Sequence, residues 1–134
     1  MQLLEQLVKQ RKATIRPARP QEIRNAEISL GLKFHPTYRE YLERFGIITY
    51  GSEELYGLGV QPDSHLNIVK TTYELRETGM WPHFLVPLCA TGDGSYFAYD
   101  NKNHVVCFWN HANGKVVMYE ENLEMFIIER MFKQ

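Results

Sequence analysis

Apolar residues recur three or four positions apart in the first part of the chain, which is the period of an amphipathic helix. The pattern predicts four helices, over residues 2–12, residues 20–30, Pro36 to about Phe45, and Asp63 or Ser64 to about Thr78. A fifth helix is predicted after Tyr119, because Leu123, Phe126, Ile127 and Met131 share one face. Acidic residues stand at the start of that segment, where they complement the helix dipole.

Two short segments, residues 47–50 and 55–60, have the β-branched and aromatic content of strands. Residues 51–54 between them predict a turn. The second segment contains Gly57 and Gly59. Glycines inside a strand predict a bulge or the close approach of another backbone.

The stretch from residue 84 to residue 119 contains four apolar runs rich in aromatic and β-branched residues. Glycine- and asparagine-rich turns separate the runs, at residues 91–94, 100–103 and 110–114. Since no helix intervenes, the runs predict an antiparallel meander. The segregation of strands and helices favours an α+β fold. We expect one domain, a mostly antiparallel sheet with N-terminal, middle and C-terminal helices packed around it.

Composition narrows the class of protein. A chain of 134 residues with 44% hydrophobic residues can form a single packed core. A net charge of −1 gives no global attraction to nucleic acid or to an anionic membrane. Cys89 and Cys107 lie in apolar runs, which predicts buried, reduced thiols. With no export signal and no run of membrane-spanning length, the expected location is the cytoplasm.

The charges are unevenly distributed along the chain. Residues 1–24 hold six basic and two acidic side chains, whereas residues 50–129 hold four basic and eleven acidic ones. An acidic sheet region could steer a cationic protein partner towards it. Equally, scattered carboxylates could simply solvate the surface.

No cluster of residues predicts a catalytic or metal centre. His104 and Cys107 lie three apart, so on a strand they point to opposite faces and cannot share a metal ion. Asp93 stands between two glycines, where a hairpin turn explains it better than a calcium or phosphate site. Ser95 has none of the sequence context of a nucleophile elbow. We therefore predict no enzyme activity, no metal and no cofactor.

The predicted meander is apolar on both faces, since Tyr96 and Phe97 are neighbours on one run and Phe108 and Trp109 on the next. Stacking of nucleic-acid bases on these rings would need a basic groove, which this acidic region lacks. If helices cover both faces, the aromatics are core. If one face is open, a tyrosine-rich patch rimmed by carboxylates forms a protein-docking surface.

The order of several short motifs resembles the SUKH superfamily (Smi/Knr-like family), which includes homologues of a fungal cell-wall-synthesis regulator. The matching segments are Ile23…Glu27…Leu30-Gly31, Phe34…Pro36…Tyr38…Leu42 with Gly46, Glu54-Leu55-Tyr56-Gly57-Leu58, Val86-Pro87-Leu88, Gly92-Asp93-Gly94 with Asp100, and Val105…Trp109…His111. The proline of the third helix is displaced by one position relative to the usual pattern.

The resemblance implies an α+β fold with an antiparallel sheet, and it implies a function. Many bacterial members are immunity proteins that bind a cognate toxin domain, often a nuclease, whereas the fungal branch implies a regulatory scaffold. Acidic members are common, so this nearly neutral chain argues against a strongly basic nuclease as the partner.

We expect a non-enzymatic immunity protein that binds its toxin through the acidic sheet region. The candidate contact residues are Glu53, Glu54, Asp93, Tyr96, Asp100 and Trp109. The carboxylates would pair with lysine or arginine of the toxin, and the aromatics would anchor it. Two alternatives stay open: a regulatory interaction scaffold without a toxin, and a small-ligand-binding protein or hydrolase, which requires a concave pocket.

Overall fold

A computed structural model describes residues 1–133, which form five helices and two antiparallel sheets in a single α+β domain. The helices are α1 (Gln2–Arg11), α2 (Pro20–Leu30), α3 (Pro36–Arg44), α4 (Ile68–Arg76) and α5 (Leu123–Phe132). The strands are β1 (Thr14–Ile15), β2 (Ile48–Tyr50), β3 (Glu53–Leu55), β4 (Leu85–Ala90), β5 (Tyr96–Asp100), β6 (Val105–Trp109) and β7 (Val116–Glu120). The predicted fold class is confirmed.

The predicted meander is the four-stranded sheet, in which β4, β5, β6 and β7 are neighbours in chain order. Its register sets Tyr96 opposite Trp109 and Phe97 opposite Phe108. Next to β3, the N–H of Tyr56 donates to the carbonyl of Leu88 at 2.8 Å, which links the smaller sheet to this one. The hairpin turns place β7 at the far edge.

The three-stranded sheet differs from the prediction at two places. Residues 14–15, which lie between the first two predicted helices where no strand was predicted, form β1 and pair with β2. The turn between β2 and β3 is shorter than predicted, so β3 begins at Glu53. It ends at Leu55, and the strand predicted over residues 56–60 is wrong. Gly51 has a φ of +59°, which lets two residues reverse the chain and leaves Glu53 and Glu54 in the strand.

Helix α4 begins at Ile68, four or five residues later than predicted. The N–H of Ile68 donates to the carbonyl of Gly57 at 2.9 Å, so the preceding residues follow that segment instead of coiling. The side chain of Asn67 then accepts the N–H of Val69 at 2.9 Å and caps the helix.

The close backbone approach predicted from Gly57 and Gly59 is confirmed. A Cβ added to Gly57 would lie 1.6 Å from the carbonyl oxygen of Gly46. A Cβ on Gly59 would lie 1.9 Å, and one on Gly46 1.7 Å, from the carbonyl oxygen of Arg16. Three segments distant in sequence therefore meet backbone to backbone, and only glycine fits there.

The core lies between the sheets and the helices. Tyr38 of α3 stacks on Tyr99 of the meander with ring centroids 5.5 Å apart, and Phe126 of α5 packs on Phe97 at 5.2 Å. The predicted buried thiols are confirmed, because Cys89 and Cys107 are both free and buried. Burial raises the pKa of Cys89 to about 11 and that of Cys107 to about 12.

His35 and His104 form a histidine pair at the start of α3. His35 caps α3 by accepting the N–H of Thr37 at 3.3 Å, and its ring stacks on His104 with centroids 3.7 Å apart. Burial, and then the charge of His104, lower the pKa of His35 below its ordinary 6.5. A proton therefore binds the unfolded chain more readily than the folded one.

We expect the free energy of unfolding to decrease as the pH falls below the ordinary histidine pKa of 6.5, towards the lower folded pKa of His35. Above pH 6.5 the His35 contribution is complete. Urea unfolding at about pH 7 and about pH 5 measures the difference. His104→Asn removes the neighbouring charge and suits the left-handed backbone of that position, so it should make the pH dependence less steep, while burial of His35 maintains the rest. An equally steep profile in the variant would contradict this.

Candidate protein-docking site

Asp100 and Trp109, two of the predicted contact residues, are buried. The carboxylate of Asp100 is 4% exposed and accepts the N–H of Lys102 at 2.8 Å and that of Asn103 at 2.9 Å. Trp109 is 2% exposed, and its indole N–H donates to the carbonyl of Met80 at 3.1 Å. Both side chains close loops against the sheet and present almost no area to a partner.

Tyr96 lies beside Trp109 and is partly exposed. Its ring is edge-on to Trp81 at 6.2 Å and to Tyr56 at 6.2 Å. Trp81 in turn packs edge-on against Trp109 at 5.1 Å. The structure therefore brings Tyr96 and Trp109 together, but within a small aromatic core around Trp81.

The predicted acidic residues are spread over the molecule. Asp93 is exposed in the β4–β5 turn, where its bonds to the Thr91 hydroxyl and the Ser95 N–H lower its pKa. Asp100 ends β5, about 13 Å beyond the start of that strand at Tyr96 by the usual rise of a strand. These two carboxylates do not share a site.

Glu53 and Glu54 are adjacent on β3 and point to opposite sides of it. Glu53 faces α5, where a carboxylate oxygen lies 3.6 Å from Nε of Arg130. Glu54 is exposed and lies 3.0 Å from the ring of His65. Of the predicted acids, Glu53 is the one that lines a groove.

A contact between Ser95 and His111 was not predicted. The Ser95 hydroxyl lies 2.8 Å from Nδ1 of His111 and accepts the His111 N–H at 3.1 Å. Because Tyr96 pairs with Trp109, the residues just beyond the ends of those two strands lie side by side. The strand register is therefore the signal that could have revealed this contact, although the two residues are 16 apart in the sequence. Ser95 is 1% exposed, and the Asp93 carboxylate is bonded to the Ser95 backbone. The contact joins two turns, and the buried Ser95 presents almost no surface.

A groove of about 670 Å³ lies between α5 and the outer strand β7. We call it the α5–β7 groove. It is lined by Glu53, Phe97, Tyr119, Glu120, Phe126, Glu129, Arg130 and Lys133. Three aromatic rings and three carboxylates thus meet two cationic side chains on one surface.

The aromatic rings form the floor of the α5–β7 groove. Phe97 lies 4.7 Å from Tyr119 and 5.2 Å from Phe126 between ring centroids. Phe126 is buried, and Phe97 is partly covered, whereas Tyr119 is 59% exposed. The cluster is therefore a partly open aromatic surface on two strands and a helix, with Tyr119 as its most accessible ring.

Charged side chains surround these rings. The guanidinium of Arg130 lies 5.5 Å from the centroid of Phe97, within the range of a cation–π contact. Glu120 uses one carboxylate oxygen to accept the N–H of Asn122 at 2.9 Å, and Glu129 is exposed on the outer turn of α5. With three carboxylates and two cationic side chains, the rim has mixed charge and an excess of one negative charge.

A larger groove of about 1190 Å³ lies between α2 and α4. Its cationic side chains are engaged locally. Arg19 pairs with Glu22 at 3.4 Å, and Lys70 donates to the carbonyl of Asp63 at 3.1 Å. The exposed Tyr73 hydroxyl donates to the carbonyl of Ser29 at 2.8 Å and bridges the two helices. The groove is wide, and apolar atoms form most of its lining.

Two features are absent from residues 1–133. No group of three histidine, cysteine, aspartate or glutamate side chains within this range is placed to hold a metal ion. None of the helices in the same range has the length and apolar character needed to cross a membrane.

These features define a class of protein: a small α+β domain with a four-stranded antiparallel meander, an aromatic groove and an exposed edge strand. The chain belongs to the SUKH family, because the family model described as SMI1-KNR4 cell-wall matches residues 1–132. The resemblance noted in the sequence is confirmed over nearly the whole chain.

Solved structures support the fold. A crystal structure of a protein from Pseudomonas syringae pv. tomato is similar with a TM-score of 0.82 and 16% identity, covering 100% of each chain. At that identity the likeness concerns the fold alone. No curated protein matches the sequence.

Proposed function

We propose that the protein is an immunity protein that binds a cognate toxin domain and neutralises it by stoichiometric binding, without catalysis of its own. Membership of the SUKH family supports this proposal through the role that many bacterial members have. The observation that carries the docking part of the proposal is the α5–β7 groove, with its accessible tyrosine and its rim carboxylates.

The composition of the groove suits an inhibitory interface. Tyrosine and arginine dominate the binding energy of protein interfaces, and Tyr119 and Arg130 both line the groove. The carboxylates of Glu53 and Glu129 can accept charge-assisted hydrogen bonds from lysine or arginine of a toxin. The groove lies on a strand and a helix, so binding would order few flexible residues and lose little entropy.

The direct test is binding to the toxin domain encoded by a neighbouring gene. We expect a purified complex with one immunity chain per toxin domain, and loss of toxin activity at that ratio. Failure to bind, or full inhibition by far fewer than one immunity chain per toxin domain, would contradict inhibition by stoichiometric binding.

Tyr119→Ala should weaken binding of that toxin by about 2 kcal/mol, roughly 30-fold in Kd, because it removes the most accessible ring of the groove. Isothermal titration calorimetry measures the change. Tyr73→Ala is the matched control, since Tyr73 is 44% exposed but lies on α4 in the other groove. Equal losses in the two variants would show that the α5–β7 groove is not the interface.

Charge reversal at the rim separates electrostatic steering from packing. Glu129→Lys should lower the association rate and the salt dependence of binding, because the rim carboxylate attracts a cationic partner. The control is Glu77→Lys, an equally exposed position at the end of α4. Stopped-flow association at low and high salt distinguishes the two variants.

The groove between α2 and α4 favours a second candidate, a small-ligand-binding protein. Such a ligand would stabilise the native state, so a thermal-shift screen should find a compound whose effect is lost in Tyr73→Ala. A regulatory scaffold without a toxin would use the same α5–β7 groove, and a neighbouring gene without toxin architecture would favour it.

A further inference from the structure

Strand β7 carries four successive exposed apolar side chains. Val116 is 36% exposed, Val117 57%, Met118 59% and Tyr119 59%. Strand residues alternate between faces, so a run of this kind is open on both faces and not on one alone. Exposure of consecutive large apolar residues is uncommon on monomeric proteins and marks an interaction surface.

The open faces coincide with an open edge. β7 is the last strand of the four-stranded sheet and pairs with β6 alone. Its outer backbone groups can therefore pair with another strand. A bulge between β6 and β7 places Tyr119 outside the regular ladder, so the regular part of the edge is Val116–Met118. An added strand would be short.

The charges at the two ends of β7 indicate which strand fits this edge. Lys115 precedes the apolar run, and Glu120 and Glu121 follow it. If a second copy pairs antiparallel to β7 about a two-fold axis near Met118, each Lys115 lies opposite the partner's Glu120 or Glu121. The apolar residues then face one another. Parallel pairing would instead set like charges together, which destabilises a sheet.

We propose that two copies of this chain pair through β7 and form a continuous eight-stranded antiparallel sheet. The two-fold axis is normal to the sheet, so both α5 helices lie on the same face and the two α5–β7 grooves flank the axis. This inference goes beyond the proposed function and does not depend on a toxin. A strand pair of this length buries a small area, so the dimer is weak and forms as the protein concentration rises.

Sedimentation equilibrium on the full chain tests the proposal. From ~1 µM to ~1 mM, a range that brackets weak interfaces, the average mass should rise from that of one chain towards that of two. Val117→Lys places a charge in the middle of the edge and should abolish the rise. A wild-type mass that stays at one chain throughout would overturn the proposal.

Charge exchange tests the antiparallel pairing itself. Lys115→Glu gives an acidic variant, and Glu120→Lys with Glu121→Lys gives a basic variant. Each variant places like charges opposite one another at both ends, so each should dimerise at least about tenfold more weakly than the wild type. An equimolar mixture of the two should form a heterodimer, because every end pair becomes opposite in charge. The triple variant should regain the homodimer.

Matched variants control for general charge effects and for folding. Lys33→Glu, and Glu74→Lys with Glu77→Lys, make the same changes at exposed positions away from β7 and should leave dimerisation unchanged. Thermal unfolding of every variant checks the fold. If Glu120→Lys unfolds the chain by losing its bond to the Asn122 N–H, Glu121→Lys alone replaces it. Failure of the mixture to pair would refute an antiparallel two-fold edge.

A toxin could occupy the same edge, and the measurements separate the two occupants. A monomeric wild type whose toxin binding is lost in Val117→Lys assigns β7 to the toxin and overturns the dimer. A concentration-dependent dimer in the absence of toxin supports the dimer even if the proposed immunity function fails.

Discussion

Gly57→Ala is expected to unfold the protein, or to lower its free energy of unfolding by more than about 4 kcal/mol. The new Cβ would lie 1.6 Å from the carbonyl oxygen of Gly46, and that oxygen belongs to backbone that cannot rotate away. Gly46 also accepts the N–H of Leu58 at 3.0 Å, and Gly57 donates to the carbonyl of Leu66 at 2.9 Å. Any shift that admits the methyl group strains both hydrogen bonds.

Circular dichroism during urea unfolding measures the effect. The matched control is Gly51→Ala, because Gly51 has a φ of +59° but no atom within 4 Å of an added Cβ. The free energy of unfolding of that variant should fall by only about 1–2 kcal/mol, the cost of holding alanine in a left-handed backbone conformation. Because the φ of Gly57 is not positive, a loss no larger than that of Gly51→Ala would show that the close approach does not require glycine at position 57.

Trp109→Ala should lower the free energy of unfolding by about 3–5 kcal/mol, the usual effect of deleting a large buried ring. The ring is 2% exposed, so its removal leaves a cavity beside Trp81 and Tyr96. It also removes the donor to the Met80 carbonyl. Trp109→Phe keeps most of the volume and should lose chiefly that hydrogen bond, about 1 kcal/mol.

The Trp109 variant separates two roles for the aromatic residues of the meander. Tyr119→Ala should cost about 1 kcal/mol of stability, from its contact with Phe97, and should act mainly on binding. Trp109→Ala should act mainly on stability. A Trp109→Ala variant that is as stable as the wild type but no longer binds the toxin would show that Trp109 anchors the interface, as predicted from the sequence.

The residues of the family motifs and the exposed aromatic residue lie in different parts of this molecule. The residues that carried the sequence resemblance, such as Trp109 and Asp100, are buried and close loops against the sheet. The exposed aromatic of the α5–β7 groove, Tyr119, belongs to none of the resemblance motifs. Motif residues therefore report the shared fold, and the surface that could distinguish partners lies beside them.

The order of helices and strands could be predicted from the sequence because it depends on local spacing. A helical period, a proline at the first position and a glycine at the end act within a few residues, and α2 and α3 begin at Pro20 and Pro36 as predicted. The start of α4 was wrong, because a hydrogen bond from Ile68 to the distant Gly57 displaced it. The candidate contact residues stay a prediction, and of the six only Glu53 lines the α5–β7 groove.

By itself the sequence determined the α+β class, the antiparallel meander, the buried thiols and the close approach at Gly57. Each depends on side-chain chemistry and local backbone geometry. The tertiary structure alone decided which aromatics are covered, since Tyr96 and Tyr119 occupy similar strands and differ only in what packs on them. It also decided that β7 lies at the edge and that Ser95 meets His111. Exposure depends on neighbours that are remote along the chain, and no local pattern encodes them.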